Sequence, residues 1–232
     1  MQRVDGGYTT NRESCTECGE CVEICNSEAR EMAGREMSTE QVMAEIEKDI
    51  VFYDQSGGGA SISGGEPFLQ HEFLFALLEA CRKKGIHTVV DTSGFTTSSI
   101  LDRVSAYVDL FLYDLKTLDD AKHKEFTGVS NVQILENLRR LAELQKQVIV
   151  RVPIIPNVND NPGDLRQIGE FVAKLGNVDE IHLLPYHTIG VEKYRRLGKP
   201  YEMEATNPPS ADDLSLILKE LRNYVSAVSI GG

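Results

Sequence analysis

Two stretches of this chain carry residue types whose spacing does chemistry. The first gathers four of the five cysteines into eleven residues, as Cys15-x2-Cys18-x2-Cys21-x3-Cys25. Thiolates at this spacing hold a 4Fe–4S cluster. Zinc is the competing metal, but zinc sites usually set their cysteine pairs farther apart. Disulfides are disfavoured, because the N-terminus shows no signal-peptide core and the four thiols stand so close together. The second stretch is Ser61-Ile62-Ser63-Gly64-Gly65-Glu66-Pro67. Small and β-branched residues from Gly58 to Ile62 predict a short strand, ended by two glycines that have no Cβ to keep a ligand off the backbone. Glu66 then offers a carboxylate beside exposed backbone groups, and Pro67 fixes the exit. That set suits a small zwitterion whose ammonium needs acceptors. Taken alone, such a turn is more often a plain strand-ending loop.

Its company gives it weight. Glu66, Asp91, Asp114, Arg151 and His187 all fall at or near the carboxyl ends of five successive predicted strands. Those strands are Gly58–Ile62, Ile86–Val90, Val108–Tyr113, Val148–Val152 and Glu180–Leu184. Helices are predicted between them, at His71–Lys84 (stopped by Gly85), Ser98–Ser105, Val132–Lys146 behind a Ser130 cap, and Asp164–Leu175. Helix Ala211–Ser226 and strand Ala227–Ile230 close the chain. Upstream, Ser38-x-x-Gln41 is a capping box before the apolar stripe Val42, Met43, Ile46 and Ile50, and Gln55–Gly59 reads as a Gly-rich hinge. Strand–helix alternation at this rhythm predicts a parallel sheet. Both open and barrel versions fit it, and ionisable groups on five successive strand tips favour a barrel or partial barrel with one shared pocket. Other readings of single residues stay open. Asp91 and Asp114 can cap the helices that follow, Lys116 can be a solvated surface lysine, and His187 can be a packing residue. His182 is expected on the opposite side, and Cys81, in an apolar helical run, as a small core residue.

Composition narrows the class. The chain has 232 residues, with 36 acidic against 24 basic side chains and a net charge of −12. Such a balance repels a phosphate backbone, so nucleic acid is not an expected partner. No apolar run approaches the ~18–20 residues of a membrane span. A cytoplasmic protein without membrane attachment is expected.

Several motifs together resemble one family. These are Ser-Gly-Gly-Glu-Pro-Phe-Leu-Gln at 63–70, Ile-His-Thr-Val-Val-Asp-Thr-Ser-Gly-Phe at 86–95 and Asp-Leu-Phe-Leu-Tyr-Asp-Leu-Lys at 109–116. Arg-Val-Pro-Ile-Ile-Pro at 151–156 and Ile-His-Leu-Leu-Pro-Tyr-His at 181–187 complete the set. In this order they resemble the glycyl-radical-enzyme activating enzymes of the radical S-adenosylmethionine superfamily, over about residues 15 to 232. The resemblance implies a partial (β/α) barrel of about six strands at 37–232, its first strand missing. A half ferredoxin-like 4Fe–4S segment at 1–36, including Ala33-Gly34-Arg35-Glu36-Met37, would precede it. It implies that a reduced 4Fe–4S cluster splits S-adenosylmethionine, and that the 5′-deoxyadenosyl radical takes a hydrogen from a glycine of a glycyl radical enzyme. The electron would come from a donor such as flavodoxin or ferredoxin. Carried over by motif, Gly64, Gly65 and Glu66 receive the methionine amino group and Lys116 pairs with its carboxylate. Asp91, Thr92 and Asp114 line the adjacent polar pocket, where the family can hold a monovalent cation, and Arg151 and His187 face the carboxylate or ribose.

Two departures from the family pattern bear on catalysis. The Cys-x3-Cys-x2-Cys that leaves one iron open to the ligand is absent: Cys21-x3-Cys25 would need cysteine where Glu28 stands, and Cys18-x2-Cys21 would need it at Ser14. Asn26 follows Cys25 where proline is usual, and no second cysteine run is present to share Cys25, whose counterpart in two-cluster ferredoxins serves the other cluster. The chain is therefore expected to be inactive alone, as a truncated copy or a degenerate relative serving as a binding scaffold. A small electron carrier with an incidental barrel is the remaining alternative.

Overall fold

The computed structural model describes every residue except 1, 5, 6, 33, 197, 202, 204, 205 and 232, so the Ala33 part of the 33–37 motif lies outside the described residues. Strands β1 (Gln2–Val4) and β2 (Gly7–Thr9) form an antiparallel hairpin ahead of the cysteine run. A single helical turn, α1 (Glu20–Glu23), lies within the cysteine run. Helix α2 (Thr39–Ile46) starts on the expected capping box, with Ser38 and Gln41 bonded reciprocally. A 3₁₀ turn at Glu47–Asp49 separates it from α3 (Ile50–Ser56), so the predicted hinge at 55–59 is in part helix, closed by Gly57 at φ 68°.

Six parallel strands follow in sequential order: β3 (Gly59–Ile62), β4 (His87–Thr92), β5 (Leu110–Asp114), β6 (Gln147–Ile154), β7 (Glu180–Pro185) and β8 (Ala227–Ile230). The connecting helices are α4 (His71–Lys83), α5 (Ser98–Ser105), α6 (Asp120–Thr127), α7 (Val132–Glu143), α8 (Pro162–Ala173), α9 (Ile189–Arg196) and α10 (Ala211–Leu221). Burial alternates strictly along β6, from Val148 through Val150 and Val152 to Ile154. These residues join Val90, Phe111, Tyr113, Ile181 and Leu183 in one core with Leu74, Leu101, Leu138, Ile168 and Leu221 of the helices. The helices thus cover one face of the sheet, and the alternate residues form a half-buried bare face. That is the partial barrel the alternation of elements predicts. Cys81 is fully buried beside Met43, as a core residue.

Besides the α1 turn, two longer helices were not anticipated. Helix α6 is polar nearly all round and buries only His123, so no apolar period marks it. Its signals are terminal: Asp119 accepts from the amides of Ala121 and Lys122, and Gly128 ends it at φ 80°. Helix α9 lies between β7 and α10, where the sequence predicts no element. The cap of α7 is also off by one residue. Asn131 holds that place, while Ser130 donates to Asp120 Oδ1 at 2.6 Å. Bonds from Lys124 and Ser130 hold the Asp120 carboxyl down at about 2.

Candidate functional site

The carboxyl ends of β3 to β6 bring two hydrogen-bonded systems together. The first joins the Gly-Gly-Glu-Pro turn to the loop after β4. Glu66 Oε1 accepts from Thr92 Oγ1 at 2.6 Å and from the Phe68 amide at 3.2 Å; Oε2 accepts from the Ser93 amide at 2.9 Å and Ser93 Oγ at 2.5 Å. Four donors fill the places a carboxylate has to offer. In this structure Glu66, expected to meet an ammonium, fastens the turn to the loop after β4. The acceptors left for a ligand are the backbone groups at Gly64 and Gly65, which are exposed. A Cβ added at either glycine would meet no atom within 4 Å, so the space in front of them is open.

The second system runs across the bare face. Ser63 Oγ donates to Asp91 Oδ2 at 3.0 Å, and Arg151 Nη2 donates to Asp91 Oδ1. Arg151 also donates to Asp114 Oδ1, from Nε at 3.1 Å and Nη2 at 2.9 Å, and Lys116 Nζ lies 3.4 Å from Asp114 Oδ2. Strand register places them: Asp114 pairs with Arg151, and Arg151 with His182. Adjacent residues in register point to the same side of a sheet. His182 therefore shares the face of Arg151, where the opposite side was expected. Its Nε2 sits 2.7 Å from Glu180 Oε1, and its buried Nδ1 finds no partner among the described atoms. His187 stands beyond the end of β7, exposed, and makes no hydrogen bond to the described residues.

Three buried asparagines, none anticipated, hold the loops that carry these groups. Asn137 Nδ2 donates to the carbonyls of Gly94 at 2.8 Å and Thr96 at 2.7 Å. Asn131 donates to the Thr117 carbonyl at 3.0 Å, and Asn159 to those of Lys116 at 2.8 Å and Pro153 at 2.6 Å. Asn159 Oδ1 accepts in return from the Ile155 amide at 2.9 Å. Asn137 leaves one trace in the sequence, a polar residue within the buried stripe Ile134, Leu138 and Leu141 of α7. Below this layer Tyr113, fully buried, donates to the Ile134 carbonyl at 2.7 Å; burial, with Glu66 nearby, pushes its hydroxyl well above the usual value.

Comparison with known proteins is decisive at this point. The Radical SAM superfamily matches residues 19–171. The trans-4-hydroxy-L-proline dehydratase activating enzyme of Clostridioides difficile is 40% identical across 96% of this chain and 84% of its own length. The chain belongs to the radical SAM superfamily. The isethionate sulfite-lyase activating enzyme of Oleidesulfovibrio alaskensis is 43% identical over 86% of this chain, which spans 65% of that protein. A crystal structure of a domain of the pyruvate-formate lyase-activating enzyme from Bacteroides vulgatus superposes with a TM-score of 0.65 at 34% identity, covering 75% of this chain and 99% of that domain. Within the superfamily these relatives form the group that activates glycyl radical enzymes.

Superfamily members use S-adenosylmethionine and a 4Fe–4S cluster, and the two groups fit this chain differently. The open space before Gly64 and Gly65, with the Lys116 ammonium on the same rim, suits the amino-acid end of S-adenosylmethionine. The cysteine run has the right donor chemistry, but its thiols do not converge. Among the described residues, no three Cys, His, Asp or Glu side chains stand close enough to hold a metal. Cys15 and Cys18 are exposed, and Cys21 and Cys25 partly so.

Proposed function

We propose that this chain supplies the S-adenosylmethionine-binding barrel of an activating enzyme for a glycyl radical enzyme. Reductive cleavage of S-adenosylmethionine and hydrogen abstraction from a partner glycine is the reaction it serves. The observation that carries the reading is the open cradle at Gly64–Gly65, fixed by the Glu66–Thr92–Ser93 fastening, in a chain 40% identical to an activating enzyme. When bound and reduced, the cofactor pair supplies the hydrogen-abstracting radical.

The chain's own residues bind and orient. Carbonyls at Gly64 and Gly65 receive the methionine ammonium, and Lys116 faces its carboxylate as a point charge. Asp91 and Asp114 hold the polar floor, with Arg151 clamped between them, and buried Thr92 supports it through Glu66. His187, exposed past β7, is free to turn toward the ribose. The partners in this reading are a glycyl radical enzyme and a small one-electron donor such as flavodoxin or ferredoxin, in the cytoplasm. No helix among the described residues is long and apolar enough to cross a membrane. Residues 1–36 form the ferredoxin-like part of this assembly and 37–232 the barrel.

Calorimetric titration with S-adenosylmethionine tests the cradle. Gly65→Val projects into open space, so folding stability should change by no more than about 0.5 kcal/mol while saturable binding disappears. Binding unaffected by the valine, or no binding by the unaltered chain, defeats the reading.

A second reading, a ligand-holding scaffold without chemistry, is favoured by one observation: these 232 residues contain no Cys-x3-Cys-x2-Cys. Reconstituted with iron and sulfide and reduced with dithionite, this chain should release no 5′-deoxyadenosine. Release would show that the four-cysteine run is enough for cleavage, and the scaffold would be excluded.

A further inference from the structure

Away from the strand tips, three segments distant in sequence line a cavity of about 510 Å³ that shares no residue with the strand-tip site and touches the cysteine run only at Cys25. They are β2 with the turn after it, residues 25–30, and the end of α9. Direct bonds tie these walls together. Arg30 donates to Thr10 Oγ1 at 2.7 Å and to the Tyr8 carbonyl at 2.9 Å, and Arg12 Nη2 donates to the Arg196 carbonyl at 3.2 Å. Arg12, Arg30, Arg195 and Arg196 all line the cavity, and no acidic residue is among its described lining. In a chain with 36 acidic and 24 basic residues, that is a local reversal of sign.

Local structure explains part of it. Arg195 and Arg196 occupy the last turn of α9, where a cation complements the helix dipole. Both also bond Glu192, at 2.6 Å to 3.3 Å, and these bonds, Arg195 first, hold its carboxyl down at about 2. Glu192 balances one charge of the four. The other three have no counter-charge in the lining, and each arginine keeps N–H groups beyond those already used, since a guanidinium carries five. Gathered cations repel one another unless an anion sits among them.

We propose that this cavity binds a multivalent oxyanion of the phosphate class, either free or as the pyrophosphoryl group of a nucleotide. Planar guanidinium forks match phosphate oxygens in pairs, with the Thr10 and Ser27 hydroxyls as supplementary donors. The volume falls in the range of small-molecule sites, about 300–1,000 Å³.

The test is titration calorimetry of the full chain with inorganic pyrophosphate and, separately, with ADP. One saturable site is expected for pyrophosphate. Arg12→Gln and Arg196→Gln should each weaken it at least about tenfold, the loss of one charge-assisted bond. Arg196 is largely exposed, so its variant folds even if the Arg12 tie proves structural. Arg103→Gln, on α5 and paired with Glu72, should leave the affinity unchanged. Tighter binding of ADP than of pyrophosphate assigns the site to a nucleotide, and equal or weaker binding assigns it to a free oxyanion. No saturable binding, or equal weakening by Arg103→Gln, overturns the proposal.

Discussion

Gly94→Ala should be among the most damaging single methyl additions this chain can suffer. The backbone at Gly94 has φ 73°, where a side chain is strained, and an added Cβ would lie 1.7 Å from Tyr113 Oη. That hydroxyl cannot step aside, because it is fully buried and bonded to the Ile134 carbonyl. Left-handed strain and overpacking together should cost about 3–5 kcal/mol. Gly128 provides the control. Its φ of 80° imposes the same strain, but its Cβ would meet nothing within 4 Å, so Gly128→Ala should cost about 1 kcal/mol. Urea unfolding of both variants separates clash from strain. Equal losses would mean that Tyr113 does not stand under the loop. The functional consequence follows from the wiring: Gly94 donates to Thr92 Oγ1, which donates to Glu66, so a displaced loop releases the carboxylate that fixes the cradle.

Arg151→Met should be nearly as costly, for an electrostatic reason. Arg151 is the shared donor of Asp91 and Asp114 and is only 16% exposed. Without it two carboxylates face each other, Asp114 with Lys116 and Asp91 with only the Ser63 hydroxyl. Removing one partner of a buried ion pair costs about 3–5 kcal/mol, and the partial exposure here places the loss near the lower end. Adding Asp91→Asn to the methionine variant should restore about 1 kcal/mol or more, because the orphaned charge goes with it. A double variant no more stable than Arg151→Met alone would show that Asp91 and Arg151 are not coupled. The same double-mutant cycle measured on S-adenosylmethionine affinity shows whether the floor acts on the ligand or only on the fold.

What the chain disclosed before folding was uneven, and the reasons are physical. Strands β4 to β8 and helices α5, α7, α8 and α10 were legible because apolar residues recur with the period of each element, and Ser38, Gly85 and Gln41 mark termini by local rules. The polar strand tips were legible as a set because parallel strands present their carboxyl ends together. Helix α6 was hidden because it stabilises itself by capping rather than by burial. His182 was misplaced because its alternation was counted from His187, which lies past the end of β7 and carries no strand parity. The role of Glu66 was hidden for another reason. Whether a carboxylate greets a ligand or fastens a loop depends on where Ser93 and Thr92 come to rest, and only the packed loops decide that. The asparagine clamps belong to the same class, since all but one of the carbonyls they bind are 14 to 43 residues away.

The formal charges of Asp91, Arg151, Asp114 and Lys116 cancel, although the protein as a whole carries −12. A neutral floor exerts little pull beyond contact range, so a zwitterion settling there is gripped by short bonds that dissolved ions barely screen. The arginine cavity behind α9 is the opposite case, an unbalanced field whose attraction fades as ionic strength rises. Changing the salt concentration alone should therefore tell apart the two kinds of guest this chain is built to receive.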